Sequence, residues 1–199
     1  MDKRLYYPAT ERNRHAILEV LQSFFPKTGT CLEIASGSGE HLTHFAQNLT
    51  GVTFQPSDLE ADCLDSIQAW ADHLGLSNVR PPRRLDTTQA DWDMAKQDVI
   101  LCINMIHISP WEATLGLMQK AGDLLNQGGF LYLYGPYRRF GAHTAPSNES
   151  FNAFLKEKDP RFGVRDLEEV EALATENGLT RTQLVEMPAN NFSVVFQRN

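Results

Sequence analysis

The stretch Glu33-Ile-Ala-Ser-Gly-Ser-Gly39 sets an ionisable side chain just ahead of a glycine-punctuated turn, and Asp58 follows nineteen residues after Gly39. A turn of small residues bends sharply and lets backbone amides approach a ligand closely. A carboxylate at a neighbouring strand end can accept hydrogen bonds from both hydroxyls of a ribose, or can cap the helix that follows it. His107 is the third residue of interest. An unperturbed imidazole titrates near neutrality and can take a proton from an attacking hydroxyl or amine, although a histidine wedged between strand and helix can equally serve only to bond backbone.

These residues need elements to hold them. Cys31, Leu32, Ile34 and Ala35 suit a buried strand, and Leu42, Phe45, Ala46 and Leu49 recur at helical intervals. Strand, tight turn and helix together form a nucleotide-cofactor site, because the free amides of the helix start face the turn. Val52–Asp58 reads as a second strand, and Leu64, Ile67, Trp70, Ala71 and Leu74 as the next helix. Val79–Leu85 is a weak strand, interrupted by Pro81 and Pro82, that ends at Asp86-Thr87. The apolar run Asp98–Asn104 belongs in the centre of a parallel sheet. A helix from Trp111 to a Gly128-Gly129 stop follows, then a strand over Gly129–Gly135.

A long polar connection is expected from Pro136 to Phe151, with Tyr137, His143 and Asn148 suited to a pocket wall. Helices are expected over Ser150–Lys158 and Arg165–Asn177, and two closing strands over Arg181–Met187 and Phe192–Gln197. At the other end, Ile17, Leu18, Val20, Leu21, Phe24 and Phe25 mark a helix with Thr10 as N-cap and Pro26 as terminator. Glu11, Arg12 and Asn13 in its first turn are either a solvated helix start or part of a lid. In the lid reading, Arg12 or Asn13 meets the carboxylate of a cofactor or the substrate.

With 199 residues, the chain suits one α/β domain, residues 1–199, with 1–26 as a candidate lid and 136–165 as a candidate substrate-side insertion. No apolar run approaches a membrane span, and the first residues lack a signal-peptide core. Net charge of −7 opposes polyanion binding, so nucleic-acid partners are not expected. Cys31, Cys63 and Cys102 lack paired spacing and read as reduced thiols of a cytoplasmic protein. No metal site is expected. Leu42 stands where a dinucleotide fingerprint needs its third glycine, and no Gly-Lys-Ser/Thr occurs, which excludes a P-loop.

Glu33, the Ser36–Gly39 turn and Asp58 resemble motif I of class I S-adenosylmethionine-dependent methyltransferases, with Ala35 in place of the first glycine. The resemblance implies a Rossmann-like, seven-stranded, mostly parallel sheet with helices on both faces and an antiparallel C-terminal hairpin. It implies that Glu33 orders the loop and helps hold the methionine end of the cofactor, that Ala35, Ser36, Gly37, Ser38 and Gly39 line it, and that Asp58 and Leu59 border the ribose. Asp86 and Thr87 would lie at the adenine, and Asn104, Met105 and Ile106 would flank the transferred methyl. Asn104-Met-Ile-His107 lacks the Pro-Pro-aromatic run of base and glutamine methylases. Pro8-Ala-Thr-Glu-Arg-Asn13, Glu33–His41, Asn104–Trp111 and Asp159–Asp166 are similar to the methyltransferase-like 26 group, a family without an established substrate.

The expected function is therefore methyl transfer from S-adenosylmethionine, leaving S-adenosylhomocysteine, to a small molecule, with His107 as candidate base and Trp111, Tyr137, His143 and Asn148 on the substrate side. A non-catalytic cofactor-binding or scaffold protein has the same binding residues. A nicotinamide-dependent oxidoreductase shares the sheet but is disfavoured by Leu42 and by the final strand pair. The sequence does not fix the oligomeric state.

Overall fold

The computed structural model describes residues 2–199. The chain forms two compact units, one of residues up to Asp86 with Gln97–Leu101 and one of Thr87–Lys96 with Cys102–Asn199. The first unit carries α1 (Pro8–Gln22), β1 (Gly29–Ile34), α2 (Glu40–Asn48), β2 (Val52–Asp58), α3 (Ala61–Leu74), the two-residue β3 (Arg83–Arg84) and the start of β4 (Gln97–Ile103). β1 and β2 are parallel, with Cys31 opposite Phe54 and Glu33 opposite Pro56, so both strands end at one edge. Leu32, Ile34, Leu42, Phe45, Phe54 and Ile67 are almost wholly buried and form the core of this unit. Each such side chain contributes roughly 1.5–3 kcal/mol by leaving water.

The second unit contains the end of β4, then α4 (Trp111–Leu124), β5 (Leu125–Gly135), β6 (Tyr137–Arg139), β7 (Ala142–His143), α5 (Pro146–Lys158), β8 (Arg165–Asp166), α6 (Leu167–Glu176), β9 (Leu179–Met187) and β10 (Asn191–Arg198). β10 runs antiparallel to both β5 and β9. Strand order is β3-β2-β1-β4-β5-β10-β9 in the main sheet, with β7-β6-β8 as a second small sheet. This is the mostly parallel seven-stranded sheet with an antiparallel C-terminal pair that the sequence led us to expect. No helix among the described residues is long and apolar enough to cross a membrane.

Several expected boundaries are corrected. Thr10 does not cap α1: Tyr7 holds the cap position without a side-chain bond, Pro8 opens the helix, and Thr10 is buried within the first turn. Pro at the first helical position needs no amide, so the helix starts earlier than a hydroxyl-cap pattern suggests. Nor does Pro26 end α1, which stops at Gln22. The Gly128-Gly129 pair is not a helix stop either, since α4 ends at Leu124 and β5 runs through both glycines. The expected long polar connection is ordered. A hairpin turning at Phe140-Gly141 pairs Arg138 with His143, and α5 begins at Pro146, four residues before Ser150.

Gly116 in the middle of α4 has a packing reason, because a Cβ there would collide with the backbone carbonyl of Thr87. Glycine to alanine in a helix interior ordinarily gains about 1 kcal/mol. Gly116→Ala is expected to lose about 1–3 kcal/mol instead, read as a lower midpoint in urea unfolding.

Candidate functional site

Where β1 ends, the chain turns through three residues of positive φ: Ala35 at 54°, Gly37 at 58° and Gly39 at 87°. Gly39 is required by close packing, since a Cβ would lie 2.8 Å from the Ile67 Cα on α3. At Gly37 a Cβ would come within 3.3 Å of the Tyr7 ring, which lies over the turn. Ala35 occupies the same left-handed region without glycine's freedom, at a cost of roughly 1–2 kcal/mol. A residue held in that conformation beside a candidate ligand loop is strained where function would require an unusual backbone.

The turn is knitted to the end of β2. The Ser36 amide donates to the Ser57 carbonyl at 2.8 Å, and the Ser57 hydroxyl donates to the Glu33 carbonyl at 2.7 Å. Asp58 closes the network, accepting the Gly37 amide on Oδ2 at 2.8 Å and the Glu60 amide on Oδ1 at 3.0 Å. Sequence weighed ribose binding against helix capping for this carboxylate. In the structure it braces the glycine turn and the approach to α3, and each oxygen keeps a further lone pair.

Glu33 is 1% exposed, and its Oε2 has no hydrogen-bond partner. Burial pushes its pKa up to about 8, opposed by the Ser36 hydroxyl and aided by the Asp58 charge. A buried carboxyl with one oxygen left unpaired beside a glycine turn is able to receive a donor.

The sequence offered residues 1–26 as a candidate lid through Arg12 or Asn13, but it did not single out the residues that hold the segment crossing this turn. The Leu5 amide donates to Ser66 Oγ at 2.8 Å, and that hydroxyl donates to the Ser38 carbonyl at 2.7 Å. Buried Glu40 accepts the Tyr7 amide at 2.7 Å and the Ser38 hydroxyl at 2.8 Å on the same oxygen. The Trp70 indole donates to the Leu5 carbonyl. Tyr7, Glu40 and Ser66 thus fasten the residues ahead of α1 onto the glycine turn. The acidic first residue after the Gly-Ser-Gly turn was the available sequence signal. Arg12 is exposed, while Asn13 Oδ1 accepts from His41 Nε2 at 2.7 Å. That imidazole is neutral, held down to about 3 by burial and then by His44 and Arg14. Leu59 is exposed and Asp86 half-buried.

In the second unit, Asn104 takes a left-handed conformation with φ of 64° at the end of β4, and Met105–His107 form a single 3-10 turn. Asparagine tolerates that backbone better than most residues. Arg165 holds the turn, donating from Nε to the Ile106 carbonyl at 2.9 Å and from Nη2 to the Ser109 carbonyl at 2.7 Å, and its guanidinium lies over the Trp111 ring. His107 is 1% exposed, with neither ring nitrogen hydrogen-bonded. Its ring rests directly on the backbone of Gly135, where any Cβ would overlap it. Burial, then the Arg165 charge, draws its pKa down to about 3.

Tyr137 meets His107 edge to face at 5.1 Å, and its buried hydroxyl is also unpartnered. Burial raises that phenol well above its ordinary range. The fold therefore brings His107 and Tyr137 together from distant positions. Asn148 has a structural task, donating to Thr144 Oγ1 and to the Asn190 carbonyl. His143 sits in β7 with a buried, unpartnered Nδ1. Thr87 is buried, with its carbonyl against Gly116. Arg165 and Gly135 were not anticipated, because nothing local in the sequence marks a side chain that reaches carbonyls 56 and 59 residues away.

The fold is similar to that of solved methyltransferase structures. An O-methyltransferase family protein from Burkholderia thailandensis superposes with a TM-score of 0.82 at 16% identity, over 96% of this chain and 57% of that one. An O-methyltransferase family 2 protein from Planctomyces limnophilus, in complex with apigenin, gives 0.76 at 16% identity, covering 94% and 62%. The S-adenosylhomocysteine-bound form of CalO1, a methyltransferase in calicheamicin biosynthesis, gives 0.75 at 18% identity, covering 98% and 56%. The chain spans little more than half the length of several of these proteins. Within that fold, residues 4–198 match the family described as "Protein of unknown function (DUF938)", and the chain belongs to it.

Two outcomes follow from the glycine turn. Ala35→Gly relieves the left-handed backbone but loosens the unfolded chain, and is expected to raise stability by up to about 1 kcal/mol, measured by thermal unfolding. Glu33 releases its proton near pH 8 when folded and near 4.5 by its ordinary value. Between those values the folded state holds the extra proton, so its contribution to stability is full below about pH 4.5 and is lost as pH rises through 8. Relative to Glu33→Gln, the native protein should lose roughly 1 kcal/mol per pH unit between pH 5 and 8, read from paired denaturation curves.

Proposed function

We propose that this protein is an S-adenosylmethionine-dependent methyltransferase acting on a small molecule, and that it is related to the methyltransferase-like 26 group. The observation that carries the reading is the left-handed glycine turn braced by Asp58, with the unpartnered Oε2 of buried Glu33 behind it. The fold shared with methyltransferases, one of them bound to S-adenosylhomocysteine and another to apigenin, supports cofactor and substrate class. In this reading Glu33 and the Ala35–Gly39 turn hold the amino-acid end, and Asp58 with Leu59 borders the ribose. Asp86 and Thr87 serve the adenine, and Asn104, Met105 and Ile106 flank the methyl. The cofactor would supply an activated methyl group whose leaving group is already in place.

The protein's own task is then to bind, orient and exclude water. Trp111, Tyr137, His143 and Asn148 remain the proposed substrate side, although Asn148 would act through the backbone it secures. His107 is the candidate base. An imidazole drawn down to about 3 is a weak base, so its first contribution would be to accept a hydrogen bond from an acceptor hydroxyl and hold it in line. Arg12 and Asn13 are assigned to the edge of the cofactor site, Asn13 by way of His41.

Calorimetric titration should show S-adenosylhomocysteine binding and no binding of NAD, with Asp58→Ala weakening the former about tenfold or more, the worth of one or two lost hydrogen bonds. A protein that ignores S-adenosylhomocysteine at millimolar concentration defeats the proposal. With an acceptor found by screening metabolite pools, His107→Ala and His107→Gln should each lower kcat. Near-full turnover in both would remove His107 from the chemistry.

A further inference from the structure

A cleft of about 210 Å³ opens between α1, α2 and α3, in the first unit, and the proposed reaction makes no use of it. Arg14, His15, His44 and Gln47 give it polar walls, and Trp70 and Leu74 an apolar one. Of these lining residues, Arg14 and His44 each carry a buried nitrogen, Nε and Nε2, without any hydrogen-bond partner. No acidic side chain pairs with Arg14 among the described residues. A buried donor left unmade costs about 1–3 kcal/mol, and more when it belongs to a charged group. His15 and His44 pack edge to face at 4.6 Å, so the two imidazoles and the guanidinium gather in one place. Burial, then His15 and Arg14, draw His44 down to about 4, which leaves it neutral beside the cation.

We propose that this cleft is a binding site for a small, partly apolar carboxylate. Arg14 and the His44 ring would take the carboxylate, and Trp70 with Leu74 would cover the apolar body. A guanidinium matches a carboxylate in plane and spacing, which favours this class over a spherical halide. Glu40 also lines the cleft, and its charge opposes a multiply charged guest such as a phosphate dianion. A monoanion with an apolar body is therefore the better fit. Because Glu40 also secures the Tyr7 amide over the glycine turn, an occupant would touch the fastening of that segment. This inference stands on the cleft alone and does not require the methyltransferase reading.

The test is a titration at pH 7 and constant ionic strength with sodium benzoate as probe, following the ring-nitrogen resonances of His15 and His44. A saturable change confined to those rings is expected at millimolar benzoate, with acetate weaker, chloride without effect, and affinity about tenfold lower in Arg14→Gln. If Arg14→Gln does not fold, Arg14→Lys, which keeps the charge and loses the buried Nε donor, should show the same weakening. An equal response to chloride, a change that does not saturate, or unaltered affinity in the Arg14 variant that folds overturns the proposal. Equal affinity for acetate overturns it as well, since Trp70 and Leu74 would then cover nothing.

Discussion

The bond from the Gly37 amide to the Asp58 carboxylate is the constraint on which the candidate cofactor site depends. It joins the turn after β1 to the end of β2, and the Ser36–Ser57 and Ser57–Glu33 bonds repeat the join on either side. A loop of Ala, Ser and Gly has little side-chain bulk to define its path, so backbone amides must be satisfied by partners outside the loop. Asp58 supplies one, and the left-handed residues Ala35, Gly37 and Gly39 keep their conformations because the ends of both strands over-determine them.

Burial is used in two ways. In the core it excludes water from apolar groups, as with Leu32, Phe45 and Phe54. At Glu33, His107 and Tyr137 it removes water from groups that would otherwise keep it, and it moves each toward its neutral form. Such groups are expensive in a fold that has no use for them. Their concentration at the ends of β1 and β4 and at the start of β6 is what distinguishes these places from ordinary strand ends. Arg14 Nε and His44 Nε2 are also buried without a partner, and they lie away from the strand ends altogether.

The residues ahead of α1 show how a short segment gains an ordered path without a core of its own. Leu5 and Tyr7 spend their amides on Ser66 and Glu40, and both acceptors also bind Ser38 in the glycine turn. Segment and turn therefore share partners, and neither can shift without disturbing the other. Tyr7 covers Gly37 in consequence, a placement that neither residue's local sequence implies.

The main sheet was legible in the chain because strand and helix periods are local. Val52–Asp58 is bounded as read, and β9 and β10 form the expected antiparallel pair. Glu33, Gly37, Gly39 and Asp58 stood out as residue types at a recognisable spacing, and their expected roles came from the resemblance to motif I. What sequence reasoning left open or misjudged depends on partners distant in the chain. The polar, aromatic stretch after Gly135 resembled a loop, because two- and three-residue strands carry no detectable period and are stabilised by pairing of β6 with β7 and with the distant β8. Whether Asp58 capped or braced, whether His107 met a partner, and where Asn148 spent its amide were decided by packing. Chemistry-bearing residue types are written in the sequence, but their ionisation and their neighbours follow from burial, and burial exists only once the chain has folded.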